Sequence, residues 1–414
     1  MFKYLILIFC FCSSAFCISK NELKKRIDDL LAMLPKSTKA ALLIYNPILR
    51  DTLFKLNHTT SMIPASNAKL FTTAVALANL GGDYKLSTKL FSNDENLSDG
   101  VINGNLYIKG FGNSVFTQND LEAMITELKA RGITRITGNI IGDDTYFDNV
   151  YKRDDWIADE AANVNLPPVS ALVLDRNRKI VSLRKGKRIR TQLSPIENPP
   201  LHIAKVLRSK LLENGILVDK AAKFGTTPDN SVLLSQSSIT LRELIQPINK
   251  QSDNFLAEVL FKTIGAEKSK IQGNAFYSTQ AILDFIEDNG IYSTGTTLVD
   301  GSGISRFDQI TPGAVVGLLE VIYFDIVNFD DFYNSLSIAG VDGTLRHRMI
   351  GSLAESNFRG KTGTLNGVTS LSGYLKTKNN EDIILSIIFE YQSGGSDFHK
   401  SIEDDIVKLV CSLN

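Results

Sequence analysis

The chain has no charge imbalance: 45 Lys and Arg are matched by 45 Asp and Glu. No overall field draws it to nucleic acid, so a charged partner must be met by a local patch. Cysteine is scarce, and Cys10, Cys12 and Cys17 all fall near the start. Once a leader is removed Cys411 stands alone, so no internal disulfide forms and a large core must replace it. Cys411 shares a helical face with Ile402, Ile406, Leu409, Val410 and Leu413, the setting of a buried structural thiol. Long apolar runs are also missing. The longest, at residues 4–12, is short of the ~20 residues that a bilayer span takes. His58, His202, His347 and His399 stand outside any H-E-x-x-H pattern or cysteine pair. There is no G-x-S-x-G elbow. A zinc peptidase, a thiol nucleophile and a Ser-His-Asp triad are therefore set aside, and neither metal nor cofactor is expected.

What is present begins with an address. Lys3 precedes the apolar run, and Ser13, Ser14, Ala15 and Cys17 supply small residues for cleavage, so residues 1–17 read as a signal peptide. The mature protein is expected to be exported to the periplasm, soluble or loosely membrane-associated. With 414 residues in all, more than one domain is needed.

The periodicity predicts a helix over 21–34, strands over 40–45 and 51–56, and a helix opening at Ser66 and closing before Gly81-Gly82. From about Tyr84 the texture changes to short strand-like runs (101–109, 133–141, 171–174) with helices near 121–131 and 201–213. Helical patterns return over 240–248, 254–264 and 274–289. Strands over 361–366, 370–376 and 382–391 then lead to a last helix over 401–413. The interval between Ser66 and Ser252 is far longer than any loop. The expected fold is α/β (α+β): a discontinuous domain, 18–83 with 235–414, split by an inserted β-rich domain, 84–234.

Three motifs carry the chemistry. Ser66-Asn67-Ala68-Lys69 places a hydroxyl and an amine three apart on one helical face. A serine attacks only when a base takes its proton, and a lysine serves once burial and a second cation, here Lys361, keep much of it neutral. Ser252-Asp253-Asn254 supplies a hydroxyl to relay a proton and an amide to orient Lys69, with Asp253 turned away. Lys361-Thr362-Gly363-Thr364 supplies a charge and hydroxyls for a carboxylate, and Gly363 leaves room for an added strand. A phosphate loop is excluded, because Glu355 stands where its first glycine belongs. The backbone N–H groups of Ser66 and Thr364 are the expected oxyanion donors.

The order S-x-x-K, S-x-N, K-T-G, with 104–110, 138–147, 168–172, 300–306 and 339–345, resembles the D-alanyl-D-alanine carboxypeptidase/endopeptidases of the class C penicillin-binding proteins. The resemblance implies a serine β-lactamase/DD-peptidase-like domain acting on peptidoglycan stem peptides through an acyl-serine, with β-lactams as covalent inhibitors. It assigns catalysis to Ser66, Lys69, Ser252, Asn254 and Lys361, and leaving-group binding to Thr362, Gly363 and Thr364. It also implies that Asp144, Phe147 and Arg306 hold the preceding stem-peptide residue, with Asp143 one place from the aspartate chosen. A β-lactamase and a non-catalytic wall-binding protein are the rival readings. Relatives carry a third domain nested after the segment matching 175–177; here a short hairpin stands in its place. Its charges, Arg176, Arg178, Lys179, Arg184, Lys185, Lys187, Arg188 and Arg190, suggest a solvated face or a contact with anionic wall polymer or a membrane surface.

Overall fold

The computed structural model describes residues 19–94, 99–156, 166–185, 188–292 and 294–414. The leader at 1–17 and the hairpin turn at Gly186 and Lys187 lie outside the described residues.

A six-stranded antiparallel sheet organises the first half of the fold. Its strands run in the order Ser337–Ile338, Arg359–Leu365, Val368–Lys376, Asp382–Glu390, Lys39–Asn46 and Asp51–Leu56. Alternation along Asp382–Glu390 explains why it lies at the centre. Ile384 and Ile388 face one core; Ile383, Leu385, Ile387 and Phe389 face the other. On the second face, Leu23 and Ile27 of helix Lys20–Ala32 pack with Ile402, Ile406 and Val410 of helix Gly395–Cys411. On the first lie helices Ala68–Leu80, Asn254–Ser269 and Pro312–Tyr323. Every residue from Ala68 to Leu77 is buried, so this helix is enclosed on all sides.

The chain between Lys85 and Thr240 builds a second sheet, ordered Ala222–Phe224, Ile140–Asp143, Leu106–Phe111, Lys85–Ser92 and Val232–Thr240. Its first pairs (through Leu106–Phe111) are parallel and the rest antiparallel. Helices Gln118–Ala130 and Pro199–Glu213 cover it, closing a separate core around Leu90, Ile108, Leu121, Ile125, Ile203 and Leu207. Entry and exit run side by side, because Lys85 pairs with Thr240 and Ser92 with Val232. Thr240 then caps helix Leu241–Lys250 in a reciprocal bond with Glu243, and that helix delivers the chain to Ser252. The exit strand thus returns the chain beside Gly82 and Tyr84, just past the end of helix Ala68–Leu80.

Three expectations change. Residues 171–174 form no strand; Val169, Ala171 and Val173 pack into one core, and Leu172 and Leu174 into the other. Helix Pro312–Tyr323 carries apolar residues all round, which hides its period, although Thr311 followed by Pro312 is a proper start signal. The runs over 101–109 and 133–141 each break into two short strands. Among the described residues, no helix is long and apolar enough to cross a membrane.

Candidate active site

Ser66 sits on a single 3-10 turn, Ala65–Asn67, immediately before helix Ala68–Leu80 rather than within it. Ala65 has φ 48°, a left-handed conformation that costs an alanine on the order of 1–2 kcal/mol. The turn is held from outside, since Ser370 Oγ donates to Pro64 O at 2.7 Å. A Cβ on Gly363 would lie 2.2 Å from Ser370 Oγ and 2.9 Å from Pro64 O. Gly363 therefore lets the strand press against the nucleophile turn, a nearer reason than room for substrate.

Lys69 is fully buried, with Nζ 2.8 Å from Ser66 Oγ, 2.7 Å from Asn254 Oδ1 and 2.5 Å from Ser302 O. Burial pulls its pKa down to about 8, while the charges of Asp300, Glu258, Asp253 and Asp308 pull it back up. Ser252 lies between two helices with φ 59°. Asp253 does turn away: it caps helix Asn254–Ser269 and pairs with Arg176 at 2.8 Å. Lys361 is also fully buried, and its Nζ reaches Ser252 Oγ at 2.9 Å and Thr362 O at 2.7 Å. Burial, then the charge of Lys69, push Lys361 well below the ordinary lysine range. The structure thus brings the three motifs together in two sets of contacts, Ser66–Lys69–Asn254 and Ser252–Lys361, with the second motif contributing to both.

These residues floor a cavity of about 480 Å³ whose lining includes Ser66, Ser252, Asn254, Thr344, Thr362 and Thr364. Lys361 is not part of that surface; its ammonium lies behind Thr362. Thr344 escaped the sequence reading as a site residue. It stands beyond Gly343, whose φ of 58° turns the chain, and accepts a 2.8 Å bond from Thr362 Oγ1. Arg176 and Arg178 line the same cavity. Arg176 stacks over Phe255 at 5.1 Å as well as pairing with Asp253, so it is a fixed cleft residue and leaves the set of hairpin charges. Its backbone gave no signal: Asp175, Arg176 and Asn177 are all left-handed.

The three positions implied for the preceding stem-peptide residue do not line this cavity. Phe147 needs correction: it is 2% exposed and packs in the core, where its ring stacks on Tyr146, so it reaches no ligand. Asp144 accepts from Tyr151 and Ser170 hydroxyls at 2.7 and 2.8 Å, and burial raises its pKa. Asp143 is locked by Thr145, Thr227 N–H and Lys109. Arg306 lines a smaller neighbouring groove of about 190 Å³ and donates to Asn366 O at 2.8 Å.

A serine beside a buried amine, a second hydroxyl–lysine pair and a hydroxyl-lined strand edge define an active-site-serine enzyme of the DD-peptidase and β-lactamase class. The chain belongs to the D-Ala-D-Ala carboxypeptidase 3 (S13) family, whose model matches residues 23–198 and 188–412. It is 28% identical to a D-alanyl-D-alanine carboxypeptidase of Actinomadura sp. (strain R39), over 90% of this chain and 82% of that one. With the D-alanyl-D-alanine carboxypeptidase DacB of Haemophilus influenzae it shares 25% identity over 89% of each. The crystal structure of penicillin binding protein 4 from Haemophilus influenzae superposes with a TM-score of 0.80 at 22% identity, covering 92% of this chain and 97% of that one. A predatory endopeptidase of Bdellovibrio bacteriovorus gives 0.55 at 16%, covering 90% and 92%.

Proposed function

We propose that this protein is an exported D-alanyl-D-alanine carboxypeptidase, with DD-endopeptidase activity, acting on peptidoglycan stem peptides through a serine acyl-enzyme. The observation that carries the reading is the buried Lys69 amine 2.8 Å from Ser66 Oγ, with Ser66 itself lining the cavity. Ser66 attacks the penultimate D-Ala carbonyl while Lys69 takes its proton. The backbone N–H groups of Ser66 and Thr364 receive the developing oxyanion. Ser252, held by Lys361, relays the proton from Lys69 to the departing amine, and water then releases the shortened peptide and restores the Ser66 hydroxyl. The terminal carboxylate meets the hydroxyls of Thr362, Thr364 and Thr344, with the Lys361 charge acting from behind them. β-Lactams acylate the same serine. Asp144 and Arg306, neither of them on the cavity surface, bound more distant parts of a longer substrate.

The same reading treats 18–83 with 235–414, and 84–234, as separate folding units, and places the protein in the periplasm. The hairpin Arg178–Lys185 and Arg188–Pro195 stands where relatives carry a nested domain. Its exposed Lys179 and Arg190 flank Ile180 and Leu193, a directly paired couple 73% and 61% exposed. A basic hairpin with an apolar pair suits an anionic wall or membrane surface, and salt-dependent binding to purified sacculi checks it.

Digestion of purified sacculi, with products separated by mass, tests the activity. The native protein is expected to release D-Ala and to split crosslinked dimers, and the Ser66→Ala protein to do neither. Trimming by Ser66→Ala would overturn the reading.

A further inference from the structure

Behind Lys69, on the side away from the cavity, lies a group of buried acids that the proposed reaction does not use. Glu258 is on helix Asn254–Ser269, one turn beyond Asn254 and on the same face, and is 3% exposed. Its Oε1 accepts the Gly301 N–H at 3.0 Å. The neighbouring Ser302 carbonyl is the one that receives Lys69 Nζ, and Thr72, one turn along from Lys69, donates to Gly301 O at 2.9 Å. One short loop is therefore gripped by the acid on one side and the amine on the other. A Cβ on Gly301 would lie 2.4 Å from Phe261 and 2.7 Å from Ala257 O, so only glycine brings the loop this close to the helix of Glu258.

The loop's shape is set by Asp300, which is 1% exposed. Its Oδ1 accepts from Ser302 N and Gly303 N at 3.1 and 2.6 Å, and its Oδ2 accepts from Ser305 N and Trp156 Nε1 at 2.8 and 3.1 Å. Burial, then the Asp300 charge, push the pKa of Glu258 up to about 8, while the Ser302 hydroxyl, then Arg153 and Lys69, pull it back. The other charges facing this pocket are Asp308, driven well up by burial and Asp300, and Lys262 on the same helix. Arg153 is held by Asp155, and Lys262 by Asp148 at 2.6 Å.

We propose that Glu258 is a positioning residue for Lys69: carboxyl and amine titrate as one buried pair, in which ionised Glu258 keeps a proton on the amine and protonated Glu258 leaves it free to act as base. The proposal rests on Lys69 being the base for Ser66. In the one-proton state, ammonium with carboxylate and amine with carboxylic acid carry the same net charge, so the two forms interchange with no change in the net charge of the interior.

The test is the rate of Ser66 acylation by a fluorescent penicillin, followed from pH 5 to pH 10 in the native protein and in Glu258→Gln. Glutamine keeps the acceptor for Gly301 N–H and removes the titration. The acid limb of the Gln profile is expected about one pH unit below the native limb, because Lys69 loses the charge that holds its proton. A limb that does not move, in a Gln protein that folds and is labelled at Ser66, overturns the proposal. Native protein that takes no label at Ser66 overturns the functional reading instead. Should Glu258→Gln not fold, the infrared carboxylic-acid band of protein carrying carbon-13 glutamate is measured against pH. One glutamic acid band is expected to titrate near neutrality and to shift upward in Lys69→Met. A full set of bands indifferent to Lys69 overturns the proposal.

Discussion

The cleft has two walls, each built around a fully buried lysine, and they are furnished differently. Lys69 is surrounded by carboxyls: Glu258, Asp300 and Asp308 lie on the floor beneath it. Lys361 meets the Ser252 hydroxyl and the Thr362 carbonyl, and the charge that bears on it is that of Lys69. Equal burial therefore has unequal results. The acids limit the fall of Lys69 to about 8, near working pH, where a base is useful. Lys361 is held well below the ordinary lysine range by burial and then by the charge of Lys69, with no acid among the causes. Burial alone does not make a base; the company that the amine keeps decides its range.

Removing Lys69 should break the comparison most severely. Lys69→Met is expected to slow acylation by roughly 10³-fold, the usual loss for a positioned proton acceptor, with little change in thermal stability. Stopped-flow labelling with penicillin and a melting curve measure both. A smaller effect is expected on the other wall. Thr344→Val removes the hydroxyl partner of Thr362, and should raise KM for a carboxylate-bearing substrate about 5- to 10-fold, the worth of one hydrogen bond. A substrate amidated at its C-terminus should show no such rise, and an equal rise in both would assign Thr344 a merely structural role. The last effect is on the fold and not on the rate. As pH rises from about 4.5 to about 8, the unfolded chain ionises Glu258 while the native state keeps its proton. The unfolded state then binds fewer protons, so stability falls with pH across that window. Glu258→Gln should flatten the decline by about 3 kcal/mol, read as the difference between unfolding free energies from urea titrations at pH 5 and pH 8.

Much of the site was legible because its chemistry is local. Ser66 and Lys69 share a helix face by spacing alone, and Asn254 follows Ser252 by two, at the start of the next helix. Other features could not be read from neighbours. Lys361 alternates along its strand like an exposed residue, and only the packing of that strand against Pro64 and Ala65 buries it. Phe147 looked like a ligand contact because it stands beside Asp144; the core took it instead. Arg176 read as one charge in a basic hairpin, but a left-handed stretch of backbone aims it at Asp253. Strand Lys85–Ser92 was passed over because it pairs with Val232–Thr240, far along the chain.

From the order of residues alone came Ser66 with its neighbour Lys69, the hydroxyl of Ser252, the strand of Lys361 and the expectation that the chain is divided around an insertion. These depend on spacing within a few positions, where backbone geometry permits few outcomes. Tertiary structure decided which lysine has acids beneath it, which glycine yields to a turn and which hydroxyls face the cavity. Those depend on electrostatic and steric contacts between segments far apart in the chain, which exist only once the two faces of the sheet are covered.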